Sequence, residues 1–299
     1  MNTSINSNIK KAIELDQTTA VPDVHPVRRD MTFKFDKDTI TNWHEEGVII
    51  SNFFNALSVF FPDGEQFFID SVRHYRDTGV IDDEQLKKDV RHFIGQEAMH
   101  GREHRDYNAA LDAAGMGAHK MEKQVTGLLN VLRKVLPAKM QLSTTCALEH
   151  FTAAMADSLL RAPEVLDKSD PSLAAAWKWH ALEETEHKAV AFDVYQKAVG
   201  SDDDAVIYFE RSLAMALAMA VFWPMMLTYW AQMNYRSGEL FNVKGWAKSI
   251  KYLIGPKKGV LTPAAKDLFT YFRKGFHPWD HDNSAYLSML PEMEKLYTK

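Results

Sequence analysis

Only one cysteine, Cys146, occurs in the 299 residues. One cysteine can make neither an internal disulfide nor a thiolate cluster, which fits a reducing compartment. There is no basic domain and no long Lys/Arg stripe, and the formal net charge is -5. No nucleic-acid partner is therefore expected. The first 30 residues hold no uninterrupted apolar stretch, so a secretory signal is not expected and a cytoplasmic location is. A glycine-rich nucleotide loop, a low-complexity tract and a second globular domain are also missing. What is present is the composition of a folded protein. Apolar residues make up 46% and charged residues 25%, a balance that argues against disorder.

Punctuation by Pro, Gly and Asp divides the chain into helical stretches. Residues 1–37 read as an extended lead-in, with Met31–Phe35 a short piece packed on the helical body rather than part of a sheet. A helix is expected over about 38–60, interrupted at Phe61-Pro62-Asp63-Gly64 and resuming to Arg76. The next opens at Asp82-Asp83, carries Glu97 and His100, and stops at Gly115. Others span about 118–134 and 138–160. After Pro163 and Asp170-Pro171, a helix over about 172–199 carries His180, Glu184 and His187. Gly200–Asp204 is a break and a new cap. The organisation expected is an all-α, ferritin-like four-helix bundle over 38–200, with further helices before and after it. Residues 201–299 form a C-terminal helical extension packed on the bundle.

Residues 213–231 carry no charge and are long enough to cross a bilayer. Pro224 and the many alanines make a helix buried against the bundle the plainer reading. A membrane-associated helix and an oligomer interface are the alternatives, the last suggesting a homodimer.

Glu97-Ala98-Met99-His100 and Glu184-Thr185-Glu186-His187 are two copies of Glu-x-x-His. Residues three apart share a helix face, so each pair can aim two ligands at one centre. Each copy follows a helix with its own glutamate, Glu65 and Glu149. The order Glu, then Glu-x-x-His, thus occurs twice, as a four-helix dinuclear carboxylate site requires. Glu149 lies among small and apolar neighbours, where an unpaired glutamate is costly. Its plain alternative is a neutral or salt-bridged core glutamate. Glu65 could be a solvated helix start, with Glu45 and Glu46 as rivals. Both Glu-x-x-His pairs could be surface pairs. His180 lies four before Glu184, between aromatic neighbours, and reads as a third nitrogen ligand or a core histidine. His104, four after His100, reads as a further ligand or as a group orienting one from behind.

Oxygen and imidazole donors without sulfur suit iron or manganese, with zinc possible. Two metal ions, iron first, are the expected cofactors. With iron, the expected chemistry is dioxygen activation and oxidation of an unidentified small organic substrate, with an electron donor as partner. The alternatives are hydrolysis by a metal-activated water and non-catalytic metal binding or storage.

From about His25 to Trp279 the chain resembles a bacterial family of predicted metal-dependent hydrolases with a ferritin-like helical fold. The resemblance rests on Pro26-Val27-Arg28-Arg29 with Phe33 and Phe35, Phe61-Pro62-x-Gly-Glu65, Glu97-x-x-His100, Glu149-His150, Glu184-x-x-His187 and Phe276-His277-Pro278-Trp279. It implies fold and metal dependence more than any one reaction. His180-x-x-x-Glu184-x-x-His187 is also similar to the last-helix motif of di-iron aryl-amine N-oxygenases. That likeness implies that His180 binds the same metal as Glu184 and His187. The apolar segment and the His-Pro-Trp tail depart from that family, so amine oxygenation is not implied.

Overall fold

The computed structural model describes residues 22–162, 165–200, 202–256 and 259–298. Residues 1–21 of the expected lead-in, Pro163 and Ser201 lie outside them. Among the described residues the chain is all-helical, with one isolated antiparallel bridge between Met31 and Thr298.

Helix α1 is Val48–Ser58, α2 Phe61–Asp77, α3 Glu84–Ala113, α4 Ala118–Val135, α5 Ala138–Leu160 and α6 Pro171–His187. Then come α7 Val190–Ala198, α8 Asp204–Arg236, α9 Val243–Ile254, α10 Thr262–Thr270 and α11 Leu290–Tyr297. Local chemistry sets these bounds. Pro62 stands in the first turn of α2, where its missing N–H costs nothing. Asp83 caps α3 by accepting from the Leu86 amide, and Asp170 caps α6 by accepting from Ser172 and Leu173. Gly79 and Gly115, at φ 75° and 80°, close α2 and α3 in the left-handed region.

α2, α3, α6 and α5 each pack on two of the others and close a ring of four. α5 and α6 are buried around most of their circumference rather than along one stripe, which marks them as central helices. α1 and α4 pack on this ring, and α8 lies across α1 and α5. Residues 22–35 run extended over α3 and α6. They are held by Val27 N–H donating to Glu186 and Phe33 N–H donating to Glu103.

Three expectations need correction. The helix expected from Asp38 begins only at Val48, which leaves Glu45 and Glu46 in the preceding turns. The helix expected over 172–199 is interrupted at Lys188-Ala189, just after His187. The 213–231 segment is helical but is not a buried core helix. Only 17% of its most apolar window is buried. Met215, Met226, Tyr229, Trp230 and Met233 face the body, while Leu213, Leu217, Val221 and Leu227 face outward.

Candidate metal centre

The four helices of the ring bring seven side chains to one place. Glu65 comes from α2, Glu97 and His100 from α3, Glu149 from α5, and His180, Glu184 and His187 from α6. All seven are at most 3% exposed. His187 Nε2 lies 3.1 Å from Glu97, 3.5 Å from Glu149 and 3.7 Å from Glu184. His180 Nε2 lies 3.0 Å from Glu184 and 3.7 Å from Glu65. His100 Nδ1 is 3.9 Å from Glu184, and the His100 ring stacks on His180 at 4.2 Å between centroids. Glu184 therefore sits between His100, His180 and Glu65 on one side and His187 and Glu149 on the other, while Glu97 reaches both His187 and the Glu65–His100 pair. This differs from the expectation that His180 and His187 share a position. The four-residue step from His180 to Glu184 and the three-residue step on to His187 place the two histidines on opposite sides of the glutamate.

The electrostatics of this cluster are lopsided. Burial pushes the carboxyls of Glu65, Glu97 and Glu149 well above the usual range, and the neighbouring carboxylates add to it. The Arg105 guanidinium only softens the rise at Glu65. Burial would raise Glu184 too, but the imidazoles of His180 and His187 beside it hold it well below the usual range. Both oxygens of Glu65, Glu97 and Glu149, with His100 Nδ1 and His187 Nε2, are buried without a hydrogen-bond partner. Such atoms are costly unless something unites them. Two divalent cations would balance four carboxylates and supply a partner to every one of these atoms.

The outward nitrogens of the histidines are all engaged. His187 Nδ1 donates to Gln96 Oε1 at 2.9 Å. The orientation of that amide is set because Gln96 Nε2 donates to Val27 O and Glu186. His187 Nε2 thus keeps its lone pair for the centre. His100 Nε2 is 3.1 Å from Glu183, which leaves Nδ1 inward. His180 Nδ1 is 2.7 Å from His104 Nε2. His104 Nδ1 is 2.8 Å from Ser58 Oγ, whose hydroxyl donates to Asn108 Oδ1. Asn108 Nδ2 donates to Ser58 O and Glu122, which fixes that amide too. The proton order then runs one way: His104 Nδ1–H to Ser58, His180 Nδ1–H to His104 Nε2, and a lone pair on His180 Nε2. His104 lies close enough to Glu65 and His180 to make a metal group with them. Both its nitrogens are already occupied, so its place is behind His180.

Sequence reasoning missed several of these groups. Glu183 and Glu186 were not singled out by their spacing, yet both are buried and share Arg29. Arg29 Nη1 and Nη2 donate to Glu186 at 2.8 and 2.9 Å, and Nη1 reaches Glu183 at 3.4 Å. The available signal was the run Glu183-Glu184-Thr185-Glu186-His187, too acidic for one face of a buried helix without a cation. Gly101 is another. A methyl group there would stand 3.3 Å from Glu65 Oε2, so glycine leaves room for that carboxylate beside α3. Its signal was a glycine inside a long helix, directly after His100.

A cavity of about 260 Å³ adjoins the centre. Its polar lining at this end is Glu65, His180, Glu184 and Thr152, and its remaining wall is almost wholly apolar. Thr152 donates its hydroxyl to Glu184 Oε2. Glu97, His100, Glu149 and His187 do not line it.

An all-helical body with buried carboxylates and imidazoles converging beside a cavity defines the class: a helical protein with a candidate metal centre. The sequence pattern of the family described as predicted metal-dependent hydrolase matches residues 27–282, and the chain belongs to that family. No curated protein and no solved structure matches it.

Proposed function

We propose that this chain is a two-metal enzyme of ferritin-like architecture, acting on the polar end of a substrate whose remainder lies in the cavity. The observation that carries the reading is the set of six unpartnered carboxylate oxygens on Glu65, Glu97 and Glu149, gathered with two unpartnered imidazole nitrogens. Glu65, His100 and His180 would hold one ion and Glu97, Glu149 and His187 the other, with Glu184 between them. Bound there, divalent ions would supply Lewis acidity and a water of lowered pKa, and an iron pair would add redox capacity.

Hydrolysis is the first reading, in keeping with the family's description. In it the apolar wall binds and orients the substrate and excludes water from all but the polar end. Thr152, already donating to Glu184, keeps that carboxylate turned toward the ions. Oxidation by an iron pair is the second reading. It is favoured by the donor set, four carboxylates and three imidazoles without sulfur. It is favoured also by a cavity wall that offers no imidazole or carboxyl beyond the candidate ligands to protonate a leaving group.

Elemental analysis of the purified protein and of Glu149→Gln, with each metal-loaded form assayed on nitrophenyl esters and for dioxygen uptake, tests the reading. About two metals per chain, reduced in the variant, supports it. Ester turnover with zinc or manganese supports hydrolysis, and dioxygen uptake confined to the iron form supports oxidation. A protein that takes up none of these metals refutes it.

A further inference from the structure

The cavity wall and the outer face of α8 are two sides of the same residues. Leu217 and Val221 line the cavity and are also 55% and 43% exposed. The cavity therefore reaches the surface through α8. That surface is unusual. Residues 212–235 contain no charged side chain. Phe209, Leu213, Leu217, Val221 and Leu227 form a stripe at helical spacing, all exposed. The apolar surface continues in the next segments, with Phe241 84%, Val243 77% and Phe269 72% exposed. Single exposed apolar residues are ordinary, but a patch spread over several helices is not.

Charge points to what covers it. Residues 236–274 hold nine Lys and Arg against two Asp and Glu, in a chain whose net charge is -5. Lys244, Lys248, Lys251, Lys266 and Lys274, in the segments that follow the apolar stripe, are exposed. Apolar residues flanked by lysines on a surface helix suit the interface of an anionic bilayer. α8 does not cross that bilayer, because its inner face is packed on α1 and α5. The geometry is that of a helix lying in the interface plane.

We propose that α8, α9 and α10 seat the protein on an anionic membrane, and that the cavity takes a single hydrocarbon chain from it. The chain would enter past Leu217 and Val221, lie against Phe60, Leu129 and Phe222, and present its polar end at Glu65, His180 and Glu184. The substrate is then an acyl or alkyl lipid. The assignment as substrate rests on the two-metal reading; the docking and the chain binding do not.

The test uses the full chain, with metal content measured in parallel. Flotation is run with vesicles of phosphatidylcholine alone and with a phosphatidylglycerol-containing mixture. Cis-parinaric acid, displaced by oleic acid, reports chain binding. Flotation with the anionic vesicles only, and near-stoichiometric parinarate binding, are expected. Phe209→Asp/Phe241→Asp/Phe269→Asp should weaken vesicle binding by roughly tenfold or more and leave parinarate binding intact. Ala218→Trp, at the cavity wall, should do the reverse, and the retained function in each variant shows that it is folded. No flotation with either vesicle, or no parinarate binding, overturns the proposal. So does a dimer in solution that the triple variant converts to monomer, since the face would then join two copies of this chain. Chain binding by a protein that takes up no metal would sink the two-metal reading and leave this one standing.

Discussion

Arg29 holds both halves of the centre from outside, and its removal has a calculable cost. Its guanidinium is 9% exposed, between Glu183 at 0% and Glu186 at 6%. Glu183 backs His100, and Glu186 backs Gln96, which backs His187. Arg29→Met keeps most of the volume but leaves two buried carboxylates without their cation. Breaking a buried pair from one side costs about 3–5 kcal/mol. Glu186 retains donors in Val27 N–H and Gln96, so the lower end, about 3 kcal/mol, is expected. Metal affinity should fall as well, by roughly 10- to 100-fold, because Glu183 and Glu186, which orient His100 directly and His187 through Gln96, lose the cation that anchors them. Arg29→Lys restores charge but not the two-pronged fork and should fall between. Chemical denaturation of the apoprotein gives the first quantity, and metal titration by calorimetry gives the second. If Arg29→Met binds both ions with unchanged affinity, the outer hydrogen bonds do not control the centre and the reasoning fails.

His104→Ala should weaken only the ion at His180, since Ser58, His104 and His180 form a separate chain; competition titration resolving two sites checks this. Gly101→Ala should leave the apoprotein as stable or up to about 1 kcal/mol more so, by helix propensity, yet bind metal less tightly because its methyl crowds Glu65. A paired melting and metal titration separates the two effects. The apoprotein should lose stability as pH rises above the ordinary carboxylate range, since Glu65, Glu97 and Glu149 have raised pKa values when folded and the unfolded chain gives up those protons first. Glu184, held low, acts only below that range. Saturating metal should flatten the profile, and metal affinity should rise with pH; denaturation with and without chelator measures both.

The sequence made the ligand stripe legible because helical spacing is local. Glu97 with His100, and His180 with Glu184 and His187, follow from steps of three and four along one helix. Glu65 and Glu149 followed from the repeated order of ligands, and the structure brings all seven together. What spacing could not reveal was the pairing across helices. His180 facing His100 and Glu65, and His187 facing Glu97 and Glu149, depend on how four helices are rotated about their axes. The outer groups were hidden for a related reason. Arg29 lies in an extended strap with no periodicity, and Glu183 and Glu186 look like surface charges until that strap covers them. The outer face of α8 was hidden because an apolar stretch such as 213–231 has the same composition in a core as on an exposed surface. Only its neighbours distinguish the two.

The two helix pairs repeat a ligand order, but the centre they build is not symmetric, and the asymmetry assigns a direction to the chemistry. Only Glu65, His180 and Glu184 among the seven line the cavity. An ion held by them would meet a group lying in the cavity, and one held by Glu97, Glu149 and His187 would lie behind it. The supports differ in the same sense. His187 is backed through Gln96 by buried Glu186 and its Arg29, and His100 by Glu183, whereas His180 is backed by neutral His104 and Ser58. An anionic partner makes an imidazole a stronger donor than a neutral one does. His180, whose partner is a neutral imidazole, is therefore the softest of the three nitrogen donors. The front position joins that His100 support to the softer His180 donor, and it is the one exposed to an incoming group. Were two ions held there, the softer His180 donor at the cavity wall would let the coordination of the front one change without loss of the pair.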